Sequence, residues 1–326
     1  MTAVPATLKQ FQYTKWGTAD AEWKIVEVPQ KALKPNHVRI KVINAALNPV
    51  DYKISEFGAY WFGRTPTEEV PFIVGFDAAG TVVEVGSEVT DFKVGDDVFT
   101  RTPTDDFGAV AEYISVEAQY VAPKPKNQDF KEAAAIPLAG LTSYQSIVTR
   151  GELKAGERVL ILGGSSSCGI FAVQLAKALG AHVIATASDS KVEFVKSLGA
   201  DQVVNYTSEK WADVLDAHSI DLIYDCGFEP QAWNDAAQKI LKKDAGRFVT
   251  LAQIQDPIES PIGAKWVFHF CQSSGKDLRE MTKFIEKGQI KAIVDSVHPF
   301  ESTVDANNKV KSGRVVGKVV ISIAKE

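Results

Sequence analysis

From Arg158 onward the chain alternates short apolar runs with helical segments, and this alternation restricts the fold more than any other feature of the sequence. The runs have the length and the β-branched content of buried strands. They are RVLILGG from Arg158, HVIATAS from His182, QVVNY ending at Tyr206, DLIYDCG from Asp221 and GRFVTLA from Gly246. The first two are followed by helical patterns at residues 169–179 and in SKVEFVKSLG from Ser190. Because parallel strands need crossover helices, the pattern predicts a doubly wound α/β domain.

The part of the chain before this alternation has a different texture. From residue 7 to about residue 125, short apolar runs are broken by Gly, Pro and Asp, which is typical of an irregular, mostly antiparallel β domain. An amphipathic helix at residues 276–287 and the strand VVGKVVISI from Val315 resemble the first domain more than the sheet. We therefore expect a β domain in residues 1–126, a dinucleotide-binding domain in residues 127–272, and a return to the first domain in residues 273–326.

Bulk properties exclude several classes of function. A length of 326 residues favours two domains with a cleft. The net charge of −5 is small and the positive charges are dispersed, so we expect a small-molecule partner, no nucleic acid and no membrane surface. No basic leader or long apolar run is present, which predicts a cytoplasmic location. The three cysteines are too few and too dispersed for a disulfide framework or a four-ligand zinc site.

The turn after the first strand of the alternation has the chemistry of dinucleotide binding. Small residues let the backbone approach a pyrophosphate, whose charge is held by free N–H groups at the start of a helix. The residues expected to bind the cofactor here are Gly163, Gly164, Ser165, Ser166, Ser167, Cys168 and Gly169. Ser166 replaces the middle glycine of the strict fingerprint, and a tight turn without a ligand is the alternative. The strand, helix and strand that follow favour the dinucleotide site.

The end of the second strand bears on the choice between NADH and NADPH. A carboxylate at this point binds the ribose 2′-hydroxyl in NAD-specific sites. This chain has Ser188 and Lys191, which can hold a 2′-phosphate, with Asp189 between them. We expect NADPH. A shift of one position would bring Asp189 to the ribose and favour NADH. The alternatives for Ser188 and Lys191 are a helix N-cap and a solvated charge.

Several stretches together resemble the zinc-independent, zeta-crystallin-like quinone oxidoreductases of the medium-chain dehydrogenase/reductase superfamily, and the related enoyl reductases. They are NPVDYK from Asn48, VPFIVGFDAAGTVVEVG from Val70, AAAIPLAGLTSYQSI from Ala133, LGGSSSCGIFAVQLAKALG from Leu162, LGADQVVNY from Leu198, IYDCG from Ile223 and SGRVVGKVVI from Ser312. The resemblance covers nearly the whole chain. It implies a GroES-like catalytic domain beside a Rossmann domain.

The chain departs from zinc-containing alcohol dehydrogenases at the metal site. Asn48 stands where those enzymes have Cys, and Phe76 and Asp77 stand where they have His and Glu. A catalytic zinc needs three protein ligands, so the resemblance implies no metal at this site. Acceptors that take hydride without a Lewis acid, such as quinones and activated alkenes, would then be the substrates.

The resemblance assigns further residues to the cofactor. Thr142 would reach the nicotinamide, with a helix cap as its alternative, and Leu251 would face the same ring. Tyr206 would contact the adenosine phosphate, and Gly227 would pass near a ribose. Arg314 either reaches the 2′-phosphate or is solvated.

The resemblance also suggests four residues close to the reaction. Asn48 and Asp51 would orient the substrate or the nicotinamide ribose, or else form a simple turn. Lys53 would meet an acceptor oxygen or solvent. Tyr60 resembles the proton donor of mitochondrial-type enoyl reductases, although one extra residue separates it from Asp51, and residues 60–62 could instead form an apolar wall.

These expectations lead to an NADPH-dependent quinone oxidoreductase. An NADPH-dependent enoyl or alkenal reductase is the alternative among enzymes, and a catalytically inactive NADPH-binding protein is the alternative of another class. The stretch AKWVFHF from Ala264 is either an edge strand that pairs across a two-fold axis in a homodimer or an internal strand.

Overall fold

The computed structural model describes residues 4–17, 23–58, 65–104 and 108–325. Its strands are β1 Thr7–Tyr13, β2 Lys24–Pro29, β3 His37–Leu47, β4 Phe72–Ile73, β5 Asp77–Val85, β6 Asp97–Arg101, β7 Tyr113–Glu117, β8 Val121–Pro123, β9 Arg158–Leu162, β10 His182–Ala187, β11 Gln202–Asn205, β12 Leu222–Asp225, β13 Arg247–Thr250, β14 Lys265–Phe268, β15 Val294–Pro299 and β16 Lys318–Ser322. Its α-helices are α1 Pro49–Phe57, α2 Phe130–Ala134, α3 Pro137–Tyr144, α4 Ser167–Ala178, α5 Val192–Ser197, α6 Trp211–Val214, α7 Ala236–Ile240, α8 Gly275–Glu286 and α9 Thr303–Lys311.

The chain forms two compact units. The first contains the described residues of Met1–Leu138, Ser273–Thr282 and Ala292–Glu326. The second contains Ala139–Gln272 and Lys283–Lys291. The first unit is therefore assembled from three separate stretches of chain.

The second unit is built on a six-stranded sheet in the order β11-β10-β9-β12-β13-β14. All its neighbouring strands are parallel. Strands β9 and β12 are almost wholly apolar and buried, as expected of strands covered on both faces. Each buried Val, Leu or Ile side chain contributes about 2 kcal/mol to this core. The strand order is that of a Rossmann fold, so the prediction of a doubly wound domain is confirmed.

The first unit is mostly antiparallel, as predicted, and has a GroES-like arrangement. A seven-stranded sheet runs β15-β16-β3-β5-β6-β8, with β7 also paired to β3, and a three-stranded sheet runs β2-β1-β4. An aromatic cluster packs against the smaller sheet, where the rings of Tyr13 and Phe72 stack with centroids 5.8 Å apart. The long central strand β3 is buried along nearly its whole length, so it forms the centre of this core.

The register of three strands gathers polar residues at one end of the larger sheet. Strand β3 ends at Leu47, which lies opposite Val319 of β16. On the other side of β3, Ala46 lies opposite Asp77, the first residue of β5. Asn48, Asp77 and Lys318 therefore come from distant parts of the sequence but meet at the same sheet end.

Two further features of the fold bear on the predictions. Strand β14 is at the edge of its sheet among the described residues, so AKWVFHF is an edge strand and not an internal one. Across the part of the chain that the structure describes, no helix has the length and apolar character needed to span a bilayer.

Candidate functional site

The turn between β9 and α4, residues 163–169, is referred to below as the dinucleotide loop. Gly163 has φ +84°, and a side chain there would place Cβ 2.8 Å from the Cα of Gly227. The turns after β9 and β12 thus approach each other closely at two glycines. Since the strand order reverses between β9 and β12, this is the point where doubly wound folds bind nucleotides.

The start of α4 is arranged around Ser166 and Gly169. Ser166 is the N-cap, and its Oγ accepts a hydrogen bond of 3.0 Å from the Gly169 N–H. A Cβ on Gly169 would lie 2.1 Å from the carbonyl oxygen of Gly163, so the loop can close only with glycine at this position. Gly164 is buried, whereas Ser165, Ser167 and Cys168 are half-buried. The helix N-terminus, with its positive end of the dipole, suits a pyrophosphate.

Three polar side chains support these turns and were not singled out from the sequence. Thr186 Oγ1 accepts a hydrogen bond of 2.9 Å from the Gly163 N–H. The fully buried Asp225 accepts hydrogen bonds from the Gly227 N–H at 3.1 Å and from Thr250 Oγ1 at 2.9 Å. Burial raises the pKa of Asp225. In the sequence, such supporting residues could have been recognised as polar residues at or near the end of an apolar strand, as in IYD and FVT.

The residues predicted to meet the adenosine end of the cofactor lie beyond β10 and β11. Ser188 and Lys191 are half-buried, and Asp189 is exposed and accepts a 3.0 Å hydrogen bond from Asn205 Nδ2. Tyr206 is 56% exposed and lines a surface cavity of about 560 Å³ together with Lys210 and Phe228. The Asp189 carboxylate is therefore hydrogen-bonded to a side chain at the end of β11.

The remaining cofactor candidates fall in both units. Thr142 is buried inside α3, so the helix-cap alternative does not apply to it. Leu251 follows β13, and its N–H donates to the Asp225 carbonyl at 3.2 Å. Gly227 is exposed after β12. Arg314 is exposed in the first unit, in the turn before β16.

A buried group of three side chains, Asn48, Asp77 and Lys318, is called here the lysine cluster. Their exposed fractions are 1%, 0% and 2%. Lys318 Nζ donates to Asp77 Oδ2 at 3.1 Å and also to Asn48 Oδ1. Asn48 Nδ2 donates to the same carboxylate oxygen at 2.9 Å. Both polar atoms of the Asn48 amide are thus directed inward.

Helix α1 begins immediately after the lysine cluster. Asp51, in its first turn, accepts a 2.7 Å hydrogen bond from the Asn48 N–H. Burial raises the pKa of Asp51 to about 7, opposed by that N–H and by the charge of Lys318. Asp51 Oδ1 is buried and has no hydrogen-bond partner among the described residues. Lys53 is half-buried on the same helix, and burial lowers its pKa. Tyr60 lies outside the described residues.

Two family models match the chain. The alcohol dehydrogenase GroES-like domain matches residues 34–126, and the zinc-binding dehydrogenase model matches residues 198–321. A 2-methylene-furan-3-one reductase from Solanum lycopersicum is 36% identical over 98% of this chain and 80% of its own length. A chloroplastic NADPH-dependent alkenal/one oxidoreductase from Arabidopsis thaliana is 37% identical, with the same coverage of 98% and 80%.

A solved structure agrees with these relatives. The quinone oxidoreductase from Coxiella burnetii matches with a TM-score of 0.82 at 26% identity, covering 98% of this chain and 100% of that one. The chain belongs to the medium-chain dehydrogenase/reductase superfamily. The resemblance predicted from the sequence is confirmed, and the chain is an oxidoreductase that uses a nicotinamide cofactor.

The zinc in the family model's description does not fit the residues that this chain has at the corresponding positions. Asn48, Phe76 and Asp77 offer one carboxylate where three ligands are needed, and the Lys318 ammonium already bonds to that carboxylate. Among the residues that the structure describes, no group of three or more His, Cys, Asp or Glu side chains could hold a metal ion.

A dinucleotide does fit. The dinucleotide loop supplies backbone N–H groups at a helix N-terminus, and the glycines at positions 163, 169 and 227 leave the space that side chains would fill. The individual roles of the predicted cofactor residues stay predictions.

Proposed function

We propose that this chain is an NADPH-dependent, zinc-independent reductase of conjugated carbonyl compounds. The observation that carries the proposal is the lysine cluster, because a buried ammonium beside Asn48 and Asp77 favours acceptors that take hydride without a Lewis acid. Alkenals, enones and quinones all have a carbonyl conjugated to a double bond. Hydride adds to that system, and a proton follows at carbon or oxygen.

The chain's own residues would hold the cofactor at three places. The dinucleotide loop would bind the pyrophosphate, and Ser188, Lys191 and Tyr206 would surround the 2′-phosphate. The engagement of Asp189 by Asn205 supports NADPH over NADH, because that carboxylate has a partner other than a ribose hydroxyl. Thr142, Gly227 and Leu251 are assigned to the nicotinamide end, and Arg314 to the 2′-phosphate. Bound NADPH supplies the hydride.

The residues near the reaction would act in different ways. Asn48 would orient the reactants indirectly, since its amide is already bonded to Asp77 and Lys318. Lys53 would meet the acceptor oxygen, where a lowered pKa helps an ammonium to donate a proton. Asp51 would orient the start of α1, and Tyr60 stays a candidate proton donor.

Two acceptor classes are supported by different relatives. The names of the relatives at 36% and 37% identity favour a conjugated enone or alkenal. The solved relative named as a quinone oxidoreductase, at 26% identity, favours a quinone, which is also the prediction from the sequence. We place alkenals and enones first on the strength of the higher identity.

Assembly and location belong to the same proposal. The exposed edge of β14 would pair with its copy across a two-fold axis to give a homodimer. A cytoplasmic location stays a prediction from the sequence.

The test is a steady-state assay of NADPH oxidation in the presence of a chelator, with trans-2-hexenal and 9,10-phenanthrenequinone offered separately and NADH as the alternative donor. We expect chelator-resistant turnover of the alkenal, with NADPH preferred. Turnover of the quinone alone would restore the quinone assignment, and NADPH binding without turnover of either acceptor would favour the binding protein.

A pair of lysine variants tests the cofactor assignment in the same assay. Lys191→Ala should raise the KM for NADPH about tenfold and leave that for NADH unchanged, because only NADPH has a 2′-phosphate. Lys196→Ala is the matched control, since Lys196 is nearby and forms a 2.9 Å ion pair with Glu193. Equal effects of the two substitutions would contradict the role of Lys191.

A further inference from the structure

Lys318 is a buried ammonium in a strand of the first unit. Its side chain is 2% exposed, and the carboxylate it faces on Asp77 is fully buried. Removing two charges from water is expensive, and apolar residues of similar volume usually give a fold of equal or greater stability. Stability alone therefore does not account for this pair.

Asp77 links three stretches of the chain to this ammonium. One carboxylate oxygen accepts hydrogen bonds from Asn48 Nδ2 at 2.9 Å and from Lys318 Nζ at 3.1 Å. The other accepts a 2.8 Å hydrogen bond from the Leu138 N–H. Strand β5, strand β16, the residue before α1 and the second residue of α3 are thereby fixed to one another.

The cluster also fixes the orientation of the Asn48 amide. Its oxygen must face the ammonium, which only donates, and its nitrogen must face the carboxylate, which only accepts. The Asn48 N–H then donates to Asp51 at 2.7 Å in the first turn of α1. A continuous series of hydrogen bonds thus runs from Lys318 to the helix that carries Lys53.

We propose that Lys318 is a positioning residue for the reaction. It is an internal cation at the place where zinc-dependent relatives have their metal site, and it fixes the start of α1 and thereby the positions of Asp51 and Lys53. The inference rests on the proposed function, since Lys53 is there assigned to the acceptor. Lys318 itself contacts neither substrate nor cofactor in this proposal. Its effect on turnover passes through Asn48 and α1.

The test separates this role from a contribution to folding. Lys318→Met leaves Asp77 as an unpaired buried carboxylate, and this variant should lose about 10 °C in Tm or fail to fold. The double variant Lys318→Met with Asp77→Asn removes both charges and keeps an acceptor for the Leu138 N–H. We expect its Tm to lie within a few degrees of the wild type.

In the double variant, kcat for the acceptor should still fall about 100-fold, because a small misplacement of a reacting group has effects of that size. The Kd for NADPH should change less than about threefold, because the dinucleotide loop belongs to the second unit. Lys311→Met is the matched control. It removes a lysine of α9 that forms a 2.8 Å ion pair with Glu56 of α1, and it should leave kcat within about twofold.

Wild-type kcat in a stable double variant would overturn the inference, and so would failure of the double variant to fold. Absence of turnover in the wild type would instead contradict the proposed function. In that case, hydrogen exchange of peptides covering residues 48–58 decides whether Lys318 positions the start of α1. Faster exchange there in the double variant than in Lys311→Met supports the positioning role, and equal exchange overturns it.

Discussion

The dinucleotide loop presents backbone groups, whereas the lysine cluster is held together by charged side chains. Residues 163–169 are contiguous, and their geometry depends on the absence of Cβ atoms at Gly163 and Gly169. Asn48, Asp77 and Lys318 come from three strand ends and depend on a balance of charge. The first region should therefore be sensitive to added volume and indifferent to pH. The second should tolerate volume changes better than changes of charge.

The largest expected effect is on the loop. Gly169→Ala places a Cβ 2.1 Å from the Gly163 carbonyl oxygen, so the loop must open. We expect the affinity for NADPH, measured by fluorescence titration, to fall at least about 1000-fold, or about 4 kcal/mol. The control is Gly156→Ala, which meets open space at φ +81°. If Gly169→Ala binds NADPH as well as this control does, the space at position 169 does not limit binding of the cofactor.

The second prediction concerns charge in the first unit. The pKa of Asp51 is raised from 3.8 to about 7 by burial, so between these pH values the folded protein binds a proton that the unfolded chain has released. The contribution of Asp51 to the free energy of unfolding is therefore full below pH 4 and is lost as the pH rises through 7. From pH 5 to pH 7 the loss is about 2 kcal/mol.

Asp51→Asn removes this dependence and retains an acceptor for the Asn48 N–H. Urea unfolding of both proteins at pH 5, 6, 7 and 8 measures the difference between their free energies of unfolding. The contributions of the other titrating groups cancel in this difference. The variant should gain stability relative to the wild type up to about pH 7 and then level off. A constant difference across this range would mean that Asp51 ionises as an exposed carboxyl does.

The smallest effect is expected in the second unit and has the opposite sign. His269, 5% exposed after β14, has its pKa lowered from 6.5 to about 4 by burial and by the charge of Arg150. The unfolded chain therefore binds the extra proton between these values. Stability is full above pH 6.5 and falls as the pH drops, by about 2 kcal/mol at pH 5.

His269→Leu should remove that acid-side loss. Thermal unfolding at pH 5 and pH 7.5 measures it, with the exposed His182→Leu as the control. A loss on acidification that is equal in wild type and His269→Leu would show that the histidine is not buried in its neutral form. With Asp51→Asn, this variant tests whether the two units respond to pH in opposite directions.

The contrast between the two regions also explains what the sequence could predict. The dinucleotide loop lies between a strand and a helix that follow each other, so local pattern was sufficient to identify it. Asn48 and Asp77 were noticed because relatives carry zinc ligands there. Lys318 lies in the stretch SGRVVGKVVI, but a lysine next to the apolar run VVIS is typical of an exposed strand end, so the sequence alone assigns it no role. Its partner Asn48 is 270 residues away, and only the pairing of β16 with β3 brings them together.

The supporting residues of the second unit show the same limit. Thr186 and Asp225 were interpreted as parts of strands. The hydrogen bonds that join Thr186 to Gly163 and Asp225 to Thr250 depend on the order of neighbouring strands in the sheet. That order follows from handedness and crossover rules only after the strands are placed. For Thr142 the structure removes only the alternative of a helix cap, since α3 continues past it, and its assignment to the nicotinamide stays a prediction.

The interleaving of the two units has a consequence for synthesis on the ribosome. Translation proceeds from the N-terminus, and a domain can fold once its own residues have emerged. The second unit is complete at Lys291, whereas the first awaits strands β15 and β16 from Ala292–Glu326. The unit that begins later in the chain can therefore fold first. Until β16 is translated, Asp77 has no lysine to pair with, and the nascent first unit carries an uncompensated carboxylate.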